Sequence, residues 1–419
     1  MKLKYLSIIL SVFLISSSNV YAKVHQSKIN KSDDQLKAAL KQYLNEYGQI
    51  EHISAISVNI SPSSGVSKNL VAGSSTRESQ TQDVNEQSLF QIGSITKSFT
   101  AAVILRLEEQ GKLNINDKVG KFFPEYKEWA NVTIKQLLNM TAGLDNYSET
   151  KGFYESEGHS LQTHFMPNDI IKLSYGKKLT PGYYYSNTNY ILAGMIASKV
   201  SGKTFPNLMN ELIKDAGLFN TYYVEDVYPK DITKRMVSGY YYNLTNDNIN
   251  HYIIGKSDPL CSLGKKTTDL KCGDMSWAGA AGGIVSNPTD VSKWARELYT
   301  VKGSSNNKGV LNAKSLIELR SFVSMSNGNV IKNLNQKDPS GFGLGVGSSY
   351  KPGLGIVYFY QGETLGYRVL YVYFPQNSKN TDGKGLVITV ALNSQPVDCA
   401  NHINELLLKL YQIYKKTGK

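Results

Sequence analysis

Charge, cysteine and tryptophan are scarce in this chain of 419 residues: 19% are Asp, Glu, Lys or Arg, and there are 3 Cys and 3 Trp. The 41% apolar share suffices for a packed core, which sets a disordered chain aside. No apolar run after residue 22 approaches the ~18 residues of a membrane helix, which sets a membrane-spanning bundle aside. Neither Cys-x-x-Cys nor His-Glu-x-x-His occurs, and His25, His52, His159, His164, His251 and His402 show no ligand spacing, so neither metal nor cofactor is expected. The lack of Gly-x-Ser-x-Gly disfavours a Ser-His-Asp hydrolase of the nucleophile-elbow type. No basic run is dense enough for nucleic acid, although 46 Lys+Arg exceed 34 Asp+Glu by 12. With so little charge, Ser, Asn, Thr and Tyr side chains are expected to supply much of the polar surface, and tyrosine is unusually abundant, 28 against 13 Phe.

The N-terminus carries Lys2 and Lys4, an apolar run from Leu6 to Ile15 and the sequence Val20-Tyr21-Ala22. This reads as a signal peptide over 1–22, since the run is shorter than the ~20 residues of a span. The expectation is an exported protein, periplasmic or secreted, with no integral membrane segment after cleavage. Export permits disulfides, and a Cys261–Cys272 bridge would close a short loop with roughly 3 kcal/mol of chain-entropy stabilisation. Cys399 is left over as a buried thiol. Removing Lys2 and Lys4 leaves a charge of +10, of which +8 lies in residues 271–419, where 17 basic face 9 acidic side chains. A weak, salt-sensitive attraction to anionic envelope polymers follows.

Periodicity places a helix over 32–47, strands over 53–60 and 69–72, and a helix from Ser94 to Gln110 that is apolar on most of its circumference and therefore buried. Helical patterns cover 133–140, 169–174 and 188–200. Asn287-Pro288-Thr289-Asp290 is a start signal for a helix over 291–299. Strand-like runs follow at 341–346, 356–360, 367–374 and 386–392, and 396–414 closes the chain as an amphipathic helix. The fold class is α/β (α+β): an antiparallel sheet built from both chain ends and flanked by helices, with an inserted mostly helical subdomain. The expected boundaries are 23–110 and 271–419 for the sheet and 111–270 for the helical part.

Three segments carry chemistry. Ser-x-x-Lys places two side chains on one helical face, and a lysine in an apolar setting can lose its proton and serve as base for the hydroxyl. The spacing also recurs elsewhere, as at Ser174, Ser262, Ser305 and Ser348, but only Ser94/Lys97 opens a long buried helix directly after a glycine. Pro181-Gly182 precedes Tyr183-Tyr184-Tyr185-Ser186-Asn187, where a phenol can pass a proton and an amide can hold a substrate amide. Tyr360-Gln361-Gly362-Glu363 ends a strand, and its glycine lets a substrate carbonyl approach backbone N–H groups. Singly, an N-cap serine with a snorkelling lysine, a tyrosine-rich turn packed on the core and a plain hairpin are the more ordinary explanations.

Together with Val132 to Leu144 and Ala278 to Ser286, these segments resemble the serine β-lactamase and penicillin-binding-protein superfamily. The likeness is nearest to its secreted D-alanyl-D-alanine carboxypeptidase and class C β-lactamase branch, and it runs from about residue 35 onward. It implies Ser94 as acylated nucleophile, Lys97 as base, Tyr185 as proton relay and Asn187 as substrate contact, with the N–H groups of Ser94 and Glu363 as oxyanion hole. Tyr360, Gln361 and Gly362 stand where the family has Lys or His, a small residue and Gly. Tyr360 brings no positive charge, and Glu363 would repel a carboxylate if it faced the cleft. Arg368 compensates only if its strand turns it inward.

The function this implies is a serine hydrolase with D-alanyl-D-alanine carboxypeptidase-like activity on a small peptide, with peptidoglycan as partner. The alternatives are an esterase of the same fold, then a β-lactamase, then a catalytically silent cell-envelope binding protein.

Overall fold

The computed structural model describes residues 32–77, 83–153, 161–242, 269–300, 309–375, 385–396 and 401–417. The expected leader, Cys261 and Cys399 lie outside them. Eight antiparallel strands form one sheet: β1 (Ala55–Pro62), β2 (Lys68–Gly73), β3 (Val323–Ser324), β4 (Ser340–Phe342), β5 (Gly347–Lys351), β6 (Gly355–Thr364), β7 (Tyr367–Phe374) and β8 (Leu386–Leu392). Their order is β2-β1-β8-β7-β6-β5-β4-β3. The two chain ends meet where β1 pairs with β8, from Ile56↔Leu392 to Pro62↔Leu386.

The sheet is buried on both faces. Along β7, Leu370, Val372 and Phe374 point to one core, and Tyr367, Val369, Tyr371 and Tyr373 to the other, the two-residue alternation of a strand. The first core lies beneath a helix over residues 32–47 (α1) and the C-terminal helix, with Leu36, Leu40, Leu406 and Leu410 against Val58, Ile388 and Val390. The second packs helices α2 (Thr96–Glu109), α3 (Thr188–Ser201) and α4 (Pro288–Tyr299) against the opposite face. Helix α2 is buried without interruption from Thr96 to Leu105, which is why it has no polar stripe. Phe99 stacks on Trp294 at 3.9 Å and ties α2 to α4.

Local chemistry fixes the helix ends. Asn287 accepts the Asp290 N–H with Pro288 in the first turn, so α4 begins three residues before the periodicity implied. Thr133 and Gln136 form a capping box that opens the short helix Ile134–Leu138. The single strand expected over 341–346 is instead the hairpin of β4 and β5, because Gly343 N–H donates to the Val346 carbonyl at 2.8 Å and closes a turn there. The C-terminal helix, α5 (Ile403–Thr417), starts later than expected. Residues Ser394–Pro396 pair with Tyr240–Tyr242 as a parallel two-stranded ribbon instead. Among the described residues no helix is long and apolar enough to cross a membrane.

Candidate active site

Ser94 lies in the 3-10 turn Gly93–Ile95 that leads into α2, rather than in an α-helical first turn. Strand β6 rests directly on this turn. A Cβ on Gly93 would stand 2.3 Å from the Glu363 carbonyl oxygen, and one on Gly362 would stand 1.8 Å from that of Ile92. Only glycine on both sides allows this approach, and Gly93 also takes φ +47°. The backbones of Ser94 and Glu363 are thereby brought together, as two N–H donors converging on one oxyanion require.

Lys97 reaches back from the first turn of α2. Its Nζ lies 3.0 Å from Ser94 Oγ, 2.6 Å from Asn187 Oδ1 and 2.9 Å from the Ala281 carbonyl oxygen. A neutral amine has two N–H groups and one lone pair. Asn187 and Ala281 can only accept from it, which leaves the lone pair for the serine hydroxyl. Burial lowers the Lys97 pKa, and the neighbouring Tyr185 works against that. The Tyr185 and Tyr190 rings, centred 5.1 and 5.6 Å from Nζ, also favour the ammonium that forms when Ser94 gives up its proton. Tyr185 Oη donates to Ser94 Oγ at 2.6 Å, so phenol, hydroxyl and amine form one chain of proton-bearing atoms.

Asn187 directly precedes α3 and is held on both sides: its N–H donates to Asn146 Oδ1 at 3.0 Å and its Nδ2 to Ser148 Oγ at 2.8 Å. Its amide therefore orients Lys97 and keeps one Nδ2 hydrogen for a substrate oxygen. Asn146 and Ser148 were not visible as site residues in the sequence. Nor was the Ala281 carbonyl, because a main-chain acceptor carries no side-chain signal.

Tyr360 projects from β6 into the same cluster, buried, with its ring 5.6 Å edge-on from Phe342, which also meets the Tyr185 ring at 6.4 Å. Burial first, then the phenols of Tyr185 and Tyr190, push its pKa well above the ordinary phenol value. Its hydroxyl is buried beside the Tyr185 phenol and makes no well-formed hydrogen bond among the described residues. Gln361 and Glu363 alternate to the other side of the strand, where Gln361 Nε2 donates to Glu363 Oε1 and Gln395 Nε2 donates to Oε2 at 3.1 Å. Arg368 does not turn toward the nucleophile. It is fully buried on the α1 side, paired with Glu51 at 2.6 Å and donating to the Ser394 carbonyl at 2.7 Å and Asn401 Oδ1 at 2.8 Å.

Two features lie apart from this cluster. A cavity of about 760 Å³ lies between α3 and the segment around Phe165 and Phe205, and Ser94 does not line it. His164, Asp226 and Asp274 hold ligand-capable atoms within 4.8 Å of one another. Both Asp274 oxygens already have protein partners, the Ser276 N–H at 2.7 Å and His164 Nδ1 at 2.9 Å. Cys272 ends the 3-10 turn Leu270–Cys272, while its expected partner Cys261 is outside the described residues.

Comparison with known proteins agrees with this geometry. The family model described as beta-lactamase matches residues 40–412. Penicillin-binding protein 4* of Bacillus subtilis is 31% identical over 167 residues, covering 38% of this chain and 35% of that protein. The putative penicillin-binding protein PbpX of the same organism is 28% identical over 228 residues, covering 51% of this chain and 54% of that one. The matches thus span between about a third and a half of those relatives. Among solved structures, the D-amino acid amidase of Ochrobactrum anthropi superposes with TM-score 0.70 at 20% identity, over 92% of this chain and 99% of that one. A penicillin binding protein of Bacillus halodurans does so with TM-score 0.60 at 20% identity, over 84% and 95%. At such identities the structural likeness speaks for the fold. The extent of the family match, with Ser94 and Lys97 side by side, decides the membership: this chain belongs to the beta-lactamase family, within the serine hydrolases of the β-lactamase and penicillin-binding-protein superfamily.

Proposed function

We propose that the protein is an exported hydrolase that opens amide or ester bonds through a covalent acyl-enzyme on Ser94, and that its substrates carry no free carboxylate beside the scissile bond. In this reading Ser94 Oγ attacks the acyl carbon while its proton passes to Lys97 Nζ. The oxygen of the tetrahedral intermediate is held by the N–H groups of Ser94 and Glu363. The bond to the leaving group then breaks, and the leaving group takes the proton from Lys97 through Tyr185. Water attacks the ester by the reverse path and frees Ser94.

The observation that carries the substrate preference is Tyr360. A carboxylate next to the scissile bond needs a cation or several donors, and this position offers one neutral phenol packed beside the Tyr185 phenol. Arg368 is engaged with Glu51, and Glu363 adds negative charge. This favours the esterase or amidase over the D-alanyl-D-alanine carboxypeptidase expected from the motifs, and the D-amino acid amidase among the structural neighbours fits it.

The test compares kcat/KM for a short-chain nitrophenyl ester, an amino-acid amide, a penicillin and a peptide ending in D-Ala-D-Ala, in the wild type and in Tyr360→Lys. The ester or amide should be the better substrate, and the lysine should shift the ratio toward the carboxylate-bearing peptide by at least tenfold. A wild-type preference for the D-Ala-D-Ala peptide or the penicillin would overturn the reading. Binding without turnover of any acyl donor would leave only the silent binding role.

A further inference from the structure

The same strand that presents Tyr360 on one side presents a fixed negative charge on the other. Glu363 is exposed, and its two carboxylate oxygens accept from Gln361 Nε2 and from Gln395 Nε2, so two side-chain amides set its direction. A carboxylate has roughly four lone-pair sites, which leaves about two for a ligand. Its main chain touches Gly93, the residue before Ser94: a Cβ on Gly93 would stand 2.6 Å from Glu363 N. The residue therefore abuts the turn that carries Ser94, with its side chain on the strand face opposite Tyr360.

Nothing described neutralises it. Arg368 lies directly across the ladder from Glu363, yet its guanidinium is turned inward to Glu51 at 2.6 Å, Ser394 and Asn401. Among the described residues no lysine, arginine or histidine forms an ion pair with Glu363. Lys97, the basic side chain nearest the nucleophile in sequence, is buried beneath Ser94 and committed to Asn187 and Ala281.

We propose that Glu363, steered by Gln361 and Gln395, forms an anionic subsite beside the nucleophile that recognises a cationic group of the substrate, a primary or quaternary ammonium close to the scissile acyl bond. This rests on the acyl-enzyme reading and names the substrate class for it: amino-acid amides or esters with a free amino group, or acyl compounds whose leaving group is cationic. Two opposite charges at partly exposed contact distance change affinity by roughly tenfold, and salt weakens the effect.

The experiment uses matched pairs on the full chain. One pair is an amino-acid nitroanilide with a free amino group and its N-acetyl counterpart; the other is a choline ester and its uncharged dimethylbutyl isostere. For each pair the ratio of kcat/KM, charged over neutral, is measured in wild type and in Glu363→Gln, at low and high salt. A ratio cancels any common effect on the oxyanion hole. The wild type should favour the charged member of at least one pair by roughly tenfold, mainly through KM, and which pair does so tells whether the ammonium sits on the acyl or the leaving side. Glu363→Gln and high salt should each bring that ratio toward one. A wild-type ratio near one for both pairs, or an unchanged ratio in Glu363→Gln, overturns the subsite while leaving the acyl-enzyme reading intact. If no member of either pair is turned over, the acyl-enzyme reading fails, and the subsite is judged by calorimetric binding of benzylammonium against benzyl alcohol. Weaker benzylammonium binding in Glu363→Gln would sustain it, and equal binding would overturn it.

Discussion

Two side chains decide the chemistry in the proposed reading, Lys97 and Tyr360, and both are buried. Lys97 works as a base only when neutral. Burial lowers its pKa, so kcat/KM for a neutral ester should rise with pH and reach its plateau below the range of an ordinary lysine. A pH–rate profile checks this, and a rate falling over the same range would contradict it. Lys97→Arg keeps the charge permanently and should lose at least a thousandfold in turnover. Tyr360→Phe separates function from folding, because its hydroxyl makes no well-formed hydrogen bond within the described protein and meets only the Tyr185 phenol. Stability by denaturant unfolding should hold or rise by up to about 2 kcal/mol, while kcat/KM falls tenfold or more. A drop in stability with unchanged activity would show the hydroxyl to be structural.

At the scale of elements, the contact between β6 and the turn Gly93–Ile95 builds the site, and it tolerates no side chain. Gly362→Ala would press a methyl carbon onto the Ile92 carbonyl oxygen, so the strand must move away from Ser94. Such overpacking costs about 1–3 kcal/mol, and a displacement near 1 Å costs on the order of a hundredfold in rate. Circular dichroism melting and ester kinetics should show both losses together; full activity at reduced stability would place the oxyanion donors elsewhere. On the opposite face, Glu51 joins three elements at once: Arg368 of β7 at 2.6 Å, Tyr43 of α1 at 3.0 Å, and the His402 N–H at the start of α5 at 2.9 Å. Glu51→Ala leaves the Arg368 guanidinium buried without its counter-charge, held only by the Ser394 and Asn401 oxygens, and unfolding should become easier by about 3–5 kcal/mol, read from the urea midpoint.

For the whole molecule, the sheet of both chain ends was legible because its strands alternate and its helices carry periodic stripes or caps, all of which are local patterns. Ser94, Lys97, Tyr185 and Asn187 were legible as short motifs, and a helix places the first two together by spacing alone. The direction of Arg368 was not. It depends on which face of β7 carries α1, and that is settled by the Glu51 partner more than 300 residues away in sequence. The 3-10 geometry at Ser94 was hidden for the same reason, since β6 imposes it from the far end of the chain. Asn146, Ser148 and Gln395 act by position and have no motif of their own. The claim on which everything else depends is that Ser94 becomes covalently acylated. Intact-protein mass spectrometry after rapid acid quench of a reaction with a short-chain nitrophenyl ester, followed by peptide mapping, tests it directly. The account predicts one added acyl group on the peptide containing Ser94 and none in Ser94→Ala. An adduct at another residue, or one that persists in Ser94→Ala, would contradict it.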